Sequence, residues 1–377
     1  MAGSVTWDTL RELAGFRSET GCALSLYLDL DPSASPTRAE AQARLRALLA
    51  QAEKAFASNG AARAHGAKVA VGRDLARIRD WWDGEFARDG ALGLALFASD
   101  ADGLWRVEPL PAAVPDAVHL GAELLVAPLV GVADSDEGAL VAVVGRERGQ
   151  VFRLRGGRLV EVVDQSEEQP GRHDQGGWAQ ARYQRHIEKL VADHLRAVGG
   201  EIDRHVRAAR GPRLVVVAPE ELRPELEASL SPAAREAVVG WTSADAHATE
   251  AELLAAVRGP LAAARAARLQ AVLERWREER GRAGRASAGW APTLTAASDG
   301  RVAMLLLPEG VRRRAFRCPV CGRADAAAGT CPLDGAAREP ADGVELAVHR
   351  TVAAGGVVLR LPPAGLDGAE VGALLRF

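Results

Sequence analysis

Gly176-Gly177-Trp178-Ala179-Gln180, followed at once by Ala181-Arg182-Tyr183-Gln184-Arg185-His186, joins two different kinds of chain. Before it runs a polar stretch from about Asp164 that contains Pro170, Gly171, Gly176 and Gly177, residues that punctuate loops. After it a helical periodicity begins. With Ile187 set at zero and about 100° per residue, Leu190, Val191, His194, Leu195, Val198 and Ile202 share one face. Arg182, Arg185, Lys189 and Arg196 fall on the opposite face, with Glu188 and Asp193 toward its edges. A glutamine on a glycine-hinged loop, backed by a cationic helix face, suits insertion into a narrow cavity walled by RNA phosphates. Trp178 is either an anchor for the loop or a surface on which a base stacks.

The flanks of this stretch set the fold class. Runs at 139–144, 150–155 and 159–163 read as strands, the last two separated by the Gly156-Gly157 turn. Beyond the helix, Leu214-Val215-Val216-Val217 is a continuous apolar run of the kind found in strands buried on both faces. Together they predict a compact α/β domain over 134–246, opened by the polar break Asp134-Ser135-Asp136-Glu137-Gly138. Residues 1–133 predict a mixed α/β domain, with helices near 7–16, 36–56 and 68–86. Its predicted strands lie at 93–98, 104–110 and Ala23-Leu24-Ser25-Leu26-Tyr27-Leu28-Asp29-Leu30, the last alternating as a half-buried strand does. Residues 247–377 predict a third α/β domain: a helix from about 249 to 280, a strand at 302–307, and two closing strands at 357–361 and 372–377.

At 377 residues the chain has room for two or three such cores. A net charge of −3 means that any nucleic-acid contact comes from a local patch, not from the global field. Lysine occurs only at Lys54, Lys68 and Lys189, a bias toward arginine that reads as base composition more than function. No uninterrupted apolar run of membrane-spanning length occurs, and Met1-Ala2-Gly3-Ser4-Val5-Thr6-Trp7-Asp8 lacks the regions of a signal peptide. The expectation is a cytoplasmic protein without a membrane partner.

Cys22 lies before an apolar strand and reads as a small buried hydrophobe. The other three cysteines cluster. Cys318-Pro319-Val320-Cys321 is followed after nine residues by Cys331-Pro332-Leu333-Asp334, two knuckles in which Asp334 stands where a fourth cysteine is expected. Three thiolates and a carboxylate can complete a tetrahedral zinc site, with His349 as the rival fourth ligand. Because every ligand comes from the protein, such a zinc would be structural. The predicted insertion covers about 316–338.

At this point the chain resembles the archaeal and eukaryotic peptide-chain release factor and Pelota superfamily, and within it a bacterial, Vms-like branch. The likeness rests on Gly177-Trp178-Ala179-Gln180 and the Arg/Gln-rich helix behind it. It also rests on the segment from Ala297 to Leu307 and on the ending Gly372-Ala373-Leu374-Leu375-Arg376-Phe377. It covers about 139–377 well and the first domain by architecture only.

The resemblance implies a three-domain architecture of mixed α/β domains with a small zinc-knuckle insertion in the last. It also implies binding at the peptidyl transferase centre of the large ribosomal subunit. There the chain would hydrolyse the ester of peptidyl-tRNA with Gln180, Gly177 and Gly176 at the reacting bond, and a translational GTPase would be a candidate partner. Trp178 and Ala179 stand between the glycines and the glutamine, unlike the Gly-Gly-Gln of release factors. The first domain carries no Asn-Ile-Lys-Ser motif, so the release expected is codon-independent. Two other readings stand beside it: a non-catalytic factor occupying the ribosomal A site under stress, and a tRNA-cleaving nuclease.

Overall fold

The computed structural model describes residues 5–19, 22–58, 65–135, 138–155, 157–166, 178–209, 211–245, 247–363 and 365–377. The side chains of 58, 65, 165, 166, 178–185 and 187 lie outside that description. The chain forms two compact units, Met1–Ser135 with Ala271–Phe377, and Asp136–Gln270.

The N-terminal segment opens with α1 (Trp7–Gly15), capped by Thr6, whose hydroxyl accepts the Thr9 N–H. Next come β1 (Ala23–Asp29), α2 (Arg38–Ser58), α3 (His65–Gly84), β2 (Gly93–Ser99), β3 (Leu104–Leu110) and β4 (Ala117–Gly121). The strands form an antiparallel sheet in the order β3-β2-β1-β4. Strand β1 departs from expectation, because it is buried on both faces. Leu24, Leu26 and Leu28 join Leu45, Leu49, Ile78 and Trp82 of α2 and α3 in one core. Ala23 and Tyr27, on the other face, belong to a second core with Leu10, Leu13, Leu294, Leu305 and Val348. The period-two pattern is therefore present, but it divides two cores instead of core and water. The polar atoms on the second face are satisfied locally. Ser25 Oγ accepts the Leu125 N–H at 3.0 Å, and the Tyr27 hydroxyl donates to the Leu125 carbonyl at 2.5 Å. A short helix, α4 (Val130–Ala133), closes the segment.

The second unit holds β5 (Leu140–Val144), β6 (Arg148–Arg155), β7 (Arg158–Ser166), α5 (Trp178–Ala208), β8 (Leu214–Val217), α6 (Arg223–Ser229), α7 (Pro232–Ala237) and β9 (Val238–Thr242). Its five strands run β7-β6-β5-β8-β9, with β5, β8 and β9 parallel and β6 and β7 antiparallel. Strand β8 is buried throughout, as its apolar run requires. One face of the sheet packs under α5, α6 and α7. The other is covered by Leu253, Val257 and Leu261 of α8 (Glu250–Gly281). Strand β9 is an addition to the elements expected from the sequence.

The last part of α8 contributes Leu273 and Trp276 to the first unit, where Trp276 Nε1 donates to the Ser287 carbonyl at 2.9 Å. There follow β10 (Ala286–Ala288), α9 (Trp290–Ser298), β11 (Val302–Pro308), β12 (Arg314–Arg317), β13 (Ala324–Asp325), β14 (Glu339–Asp342), α10 (Gly343–Ala353), β15 (Val357–Leu361) and β16 (Gly372–Leu375). The main sheet is β10-β16-β11-β15, and the insertion between β11 and α10 forms a separate three-stranded sheet, β13-β12-β14. Helices α9 and α10 join β11 and β15 in the core that also holds Ala23 and Tyr27. The architecture is mixed α/β throughout. The expected first and third domains, 1–133 and 247–377, are thus represented by segments that share a hydrophobic core.

Candidate functional site

Helix α5 is 31 residues long, about 46 Å at the usual rise per residue. Its apolar stripe falls where the periodicity placed it. Val191, Leu195, Val198, Ile202 and Val206 are buried on the sheet, and His194 is 2% exposed among them. The seat is close. A Cβ on Gly149 of β6 would lie 2.2 Å from Val198 Cγ2, and one on Gly199 would lie 2.7 Å from Ser229 Oγ. Glycine lets the helix backbone approach both neighbours here. Toward its N-terminal end the described side chains change character: His186, Glu188 and Lys189 are exposed. The helix is therefore held by the part from Val191 onward.

Gly176 and Gly177 lie outside the described residues, as do the side chains of Trp178, Gln180, Arg182 and Arg185, though the last four belong to the helical backbone of α5. Trp178 thus stands at the first helical residue and Gln180 within the first turn. Lys189 and Arg196 are exposed. Arg196 is engaged by Asp193 at 2.6 Å, so its charge is partly answered within the helix. Both partners of this i,i+3 pair are largely exposed, which makes the pair weak.

The cysteine cluster is built by two copies of one local turn. Cys318-Pro319-Val320-Cys321-Gly322 closes with Gly322 N–H donating to the Cys318 carbonyl at 3.0 Å and Cys318 N–H donating to the Arg323 carbonyl at 2.9 Å. Cys331-Pro332-Leu333-Asp334-Gly335 repeats both bonds, Gly335 to Cys331 at 2.9 Å and Cys331 to Ala336 at 2.8 Å. Each glycine sits at φ 74°, the left-handed conformation that only glycine adopts cheaply. The Cys321 sulfur accepts from the Arg323 N–H, and Asp334 Oδ1 accepts from the Ala336 N–H two residues on. Asp334 therefore occupies the seat in its knuckle that Cys321 occupies in the other.

The ligand atoms of Cys318, Cys321, Cys331 and Asp334 all lie within 4.8 Å of one another. Cys318 Sγ is 3.3 and 3.2 Å from the two Asp334 oxygens, and Cys321 Sγ is 3.5 Å from Cys331 Sγ. Tetrahedral zinc with Zn–S bonds of ~2.3 Å needs ligand atoms roughly 3.8 Å apart, so the donor set and its spacing fit a small divalent ion. The Asp334 carboxyl is held down at about 2, first by the Cys321 thiol and then by the Ala336 N–H, so it is ionised as a ligand must be. His349 is not part of this group. It lies on α10, 4% exposed, with its ring pushed down to about 4 chiefly by burial.

The first knuckle is tied into the unit by a network that sequence reasoning did not find. Glu123 accepts from Arg17 at 3.0 Å, Arg350 at 2.8 Å and Arg317, next to Cys318, at 3.3 Å. Burial works against the Glu123 charge, but Arg350, His349 and Arg317 together hold its carboxyl below the usual range. The Arg350 guanidinium also lies against Gly322, where a Cβ would come within 2.5 Å of it. Glu345, partly buried on α10, accepts the N–H groups of Val126 and Ala127 at 3.0 Å each, and burial pushes its carboxyl up to about 7. Glu345 lies three residues after the N-cap Asp342, a spacing that signals a helix start but not burial.

The likeness to the archaeo-eukaryotic release factor and Pelota superfamily, drawn from Gly177–Gln180, the helix behind it, the segment Ala297–Leu307 and the chain end, is accompanied by matches to relatives of known sequence. The family matched is bacterial archaeo-eukaryotic release factor family 10, over residues 125–262. Over 127 residues the chain is 27% identical to peptide chain release factor subunit 1 of Methanosphaera stadtmanae, a match spanning 31% of this chain and 31% of that relative. Among solved structures, the archaeal translation termination factor aRF1 aligns over 99% of both chains at 17% identity with a TM-score of 0.29. A ribosome-bound archaeal Pelota, solved with ABCE1, aligns over 100% of this chain and 95% of that one, at 12% identity and a TM-score of 0.38. No described helix is long and apolar enough to cross a membrane.

Proposed function

We propose that this protein is a ribosome-associated peptidyl-tRNA hydrolase of the Vms-like kind, releasing nascent chains in ribosome rescue without reading a codon. The observation that carries the reading is the family match over 125–262, which contains the whole Gly176–Gln180 stretch and α5. In this reading Gly176 and Gly177 bring the backbone close to the tRNA 3′ end, where no Cβ stands in the way. Backbone N–H groups near Gln180 stabilise the oxyanion that forms as water attacks the ester carbonyl. The Gln180 side chain orients that water and excludes other nucleophiles. It does not act as a general base, since an amide does not titrate in the working range.

Arg182, Arg185, Lys189 and Arg196 would contact the phosphate backbone of RNA beside the loop, and Trp178 would anchor the loop or stack on a base. The partners are the peptidyl transferase centre of the large subunit, peptidyl-tRNA and a translational GTPase, and the setting is the cytoplasm. A structural zinc held by Cys318, Cys321, Cys331 and Asp334 would stabilise an insertion too small to bury a core of its own.

The test is Gln180→Ala on stalled ribosome–nascent chain complexes, with the peptide, the tRNA 3′ end and ribosome co-sedimentation all followed. The expected outcome is loss of peptide release with binding nearly unchanged. Undiminished release by the variant sinks the catalytic reading. No release by the parent protein would leave the non-catalytic A-site factor, and a shortened tRNA would identify a nuclease.

A further inference from the structure

The double knuckle separates its four ligand groups into two unlike contacts. Cys318 Sγ faces the Asp334 carboxylate at 3.2 and 3.3 Å, and Cys321 Sγ faces Cys331 Sγ at 3.5 Å. Cys318 is wholly enclosed and Cys331 is buried, whereas Cys321 is exposed. A knuckle pair with four cysteines offers two equivalent cross-knuckle pairings. Here Asp334 takes the seat opposite Cys318, and an aspartate cannot form a disulfide.

We propose that Cys321 and Cys331, the sulfurs in contact at 3.5 Å with one of them exposed, are a redox-modification site, oxidised by hydroperoxides to one cross-knuckle disulfide, and that Asp334 leaves the enclosed Cys318 without a sulfur partner in the seat it faces. The exposed Cys321 sulfur attacks a hydroperoxide oxygen: its S–H proton is given up, an S–O bond forms, the O–O bond breaks, and the departing hydroxide or alkoxide takes a proton as water or alcohol. The Cys331 thiolate then attacks Cys321 Sγ, the S–S bond forms, the S–O bond breaks, and hydroxide leaves to be protonated to water. The two sulfurs give up two electrons and the hydroperoxide accepts them. The sulfurs start 3.5 Å apart, so closing to a disulfide at ~2.05 Å needs a movement of ~1.5 Å, within reach of an exposed turn. Only Cys318 and Asp334 would then remain to hold a divalent ion, so oxidation and ion release are coupled. The disulfide itself needs only the sulfurs, and the ion-release half rests on the zinc reading above.

The experiment treats the full-length protein, as purified and after EDTA, with stepwise equivalents of hydrogen peroxide. Remaining thiols are alkylated, disulfides are mapped by peptide mass, and zinc is followed with a chromogenic chelator. The expected result is a single Cys321–Cys331 linkage in both preparations, Cys318 alkylated in full after unfolding, and about one zinc released per disulfide in the untreated sample. A linkage containing Cys318, or Cys321 advancing to sulfinic acid with Cys331 still reduced, overturns the proposal. Asp334→Cys should convert the single product into a mixture that includes Cys318. If that variant still gives only Cys321–Cys331, Asp334 is not the sorting residue and that half of the proposal fails. Protein that carries no zinc yet forms the linkage upholds the pair and sinks the zinc reading alone.

Discussion

Glu345→Gln should flatten the fall in stability that the wild-type protein shows from mildly acidic to mildly alkaline pH. The Glu345 carboxyl is raised from 4.5 to about 7, first by burial and further by Asp342 and Glu123, against the two N–H groups of Val126 and Ala127 that pull it down. The folded protein therefore keeps a proton on Glu345 in the window where the unfolded chain has already lost it. Between pH 4.5 and about 7 the native state binds more protons, so stability falls as pH rises, and the loss is complete above about 7. A shift of this size corresponds to on the order of 3 kcal/mol. Glutamine preserves the shape and one acceptor without a charge, and it costs ~1 kcal/mol or more through the N–H it no longer satisfies. Urea unfolding of both proteins at pH 5, 6, 7 and 8 reads the difference. His349, whose ring is depressed by burial, works in the opposite direction, but it is common to both and cancels. The variant should be the less stable at pH 5 and should draw level with or pass the wild type by pH 8. Parallel curves would mean that Glu345 is ionised throughout and that its backbone donors outweigh burial.

Changing Arg182, Arg185 and Lys189 together to Gln should weaken binding to ribosomes and lower the salt slope by about one unit for each phosphate no longer neutralised, so an unchanged slope returns that face to plain solvated surface. Elemental analysis of protein purified without chelator should give about one zinc per chain. Zinc content should drop in Asp334→Ala and hold in His349→Ala, the reverse result making His349 the ligand. Gly149→Ala places a Cβ 2.2 Å from Val198 Cγ2 and should destabilise the second unit by about 1–3 kcal/mol, seen as faster hydrogen exchange in β6 and α5. Unchanged exchange there would show that α5 shifts on its seat at no cost.

The parts of the molecule that are legible in advance are those written in short stretches of chain. The apolar stripe of α5, the buried run of β8 and the repeated C-P-x-C-G and C-P-x-D-G turns each depend on neighbours a few residues away. What escapes a sequence reading depends on distant partners. Helix α10 is buried at Leu346, Ala347, Val348, His349, Thr351 and Val352, nearly all round, so it shows no amphipathic stripe to detect. Helix α9 is only nine residues long, with small and hydroxylated side chains through much of it. The second covered face of β1 is supplied by residues near the far end of the chain, which turned an expected half-buried strand into a central one. The Glu123 network joins residues 106 and 227 positions apart, a separation no local pattern records.

The core that unites Leu10, Tyr27 and Val126 with Leu294, Leu305 and Val348 has a consequence for the order in which the protein is made. Synthesis delivers Met1–Ser135 first, then the uninterrupted Asp136–Gln270, and only then the strands and helices that complete the first unit. The middle unit has all its strands in hand once Thr242 and α8 have emerged, so it can condense while translation continues. The earlier segment, meanwhile, must wait with Tyr27, Phe97 and Leu129 uncovered for nearly the whole of elongation. Premature truncation in the last hundred or so codons would therefore strand an apolar surface, and such products are natural substrates for chaperones and proteases.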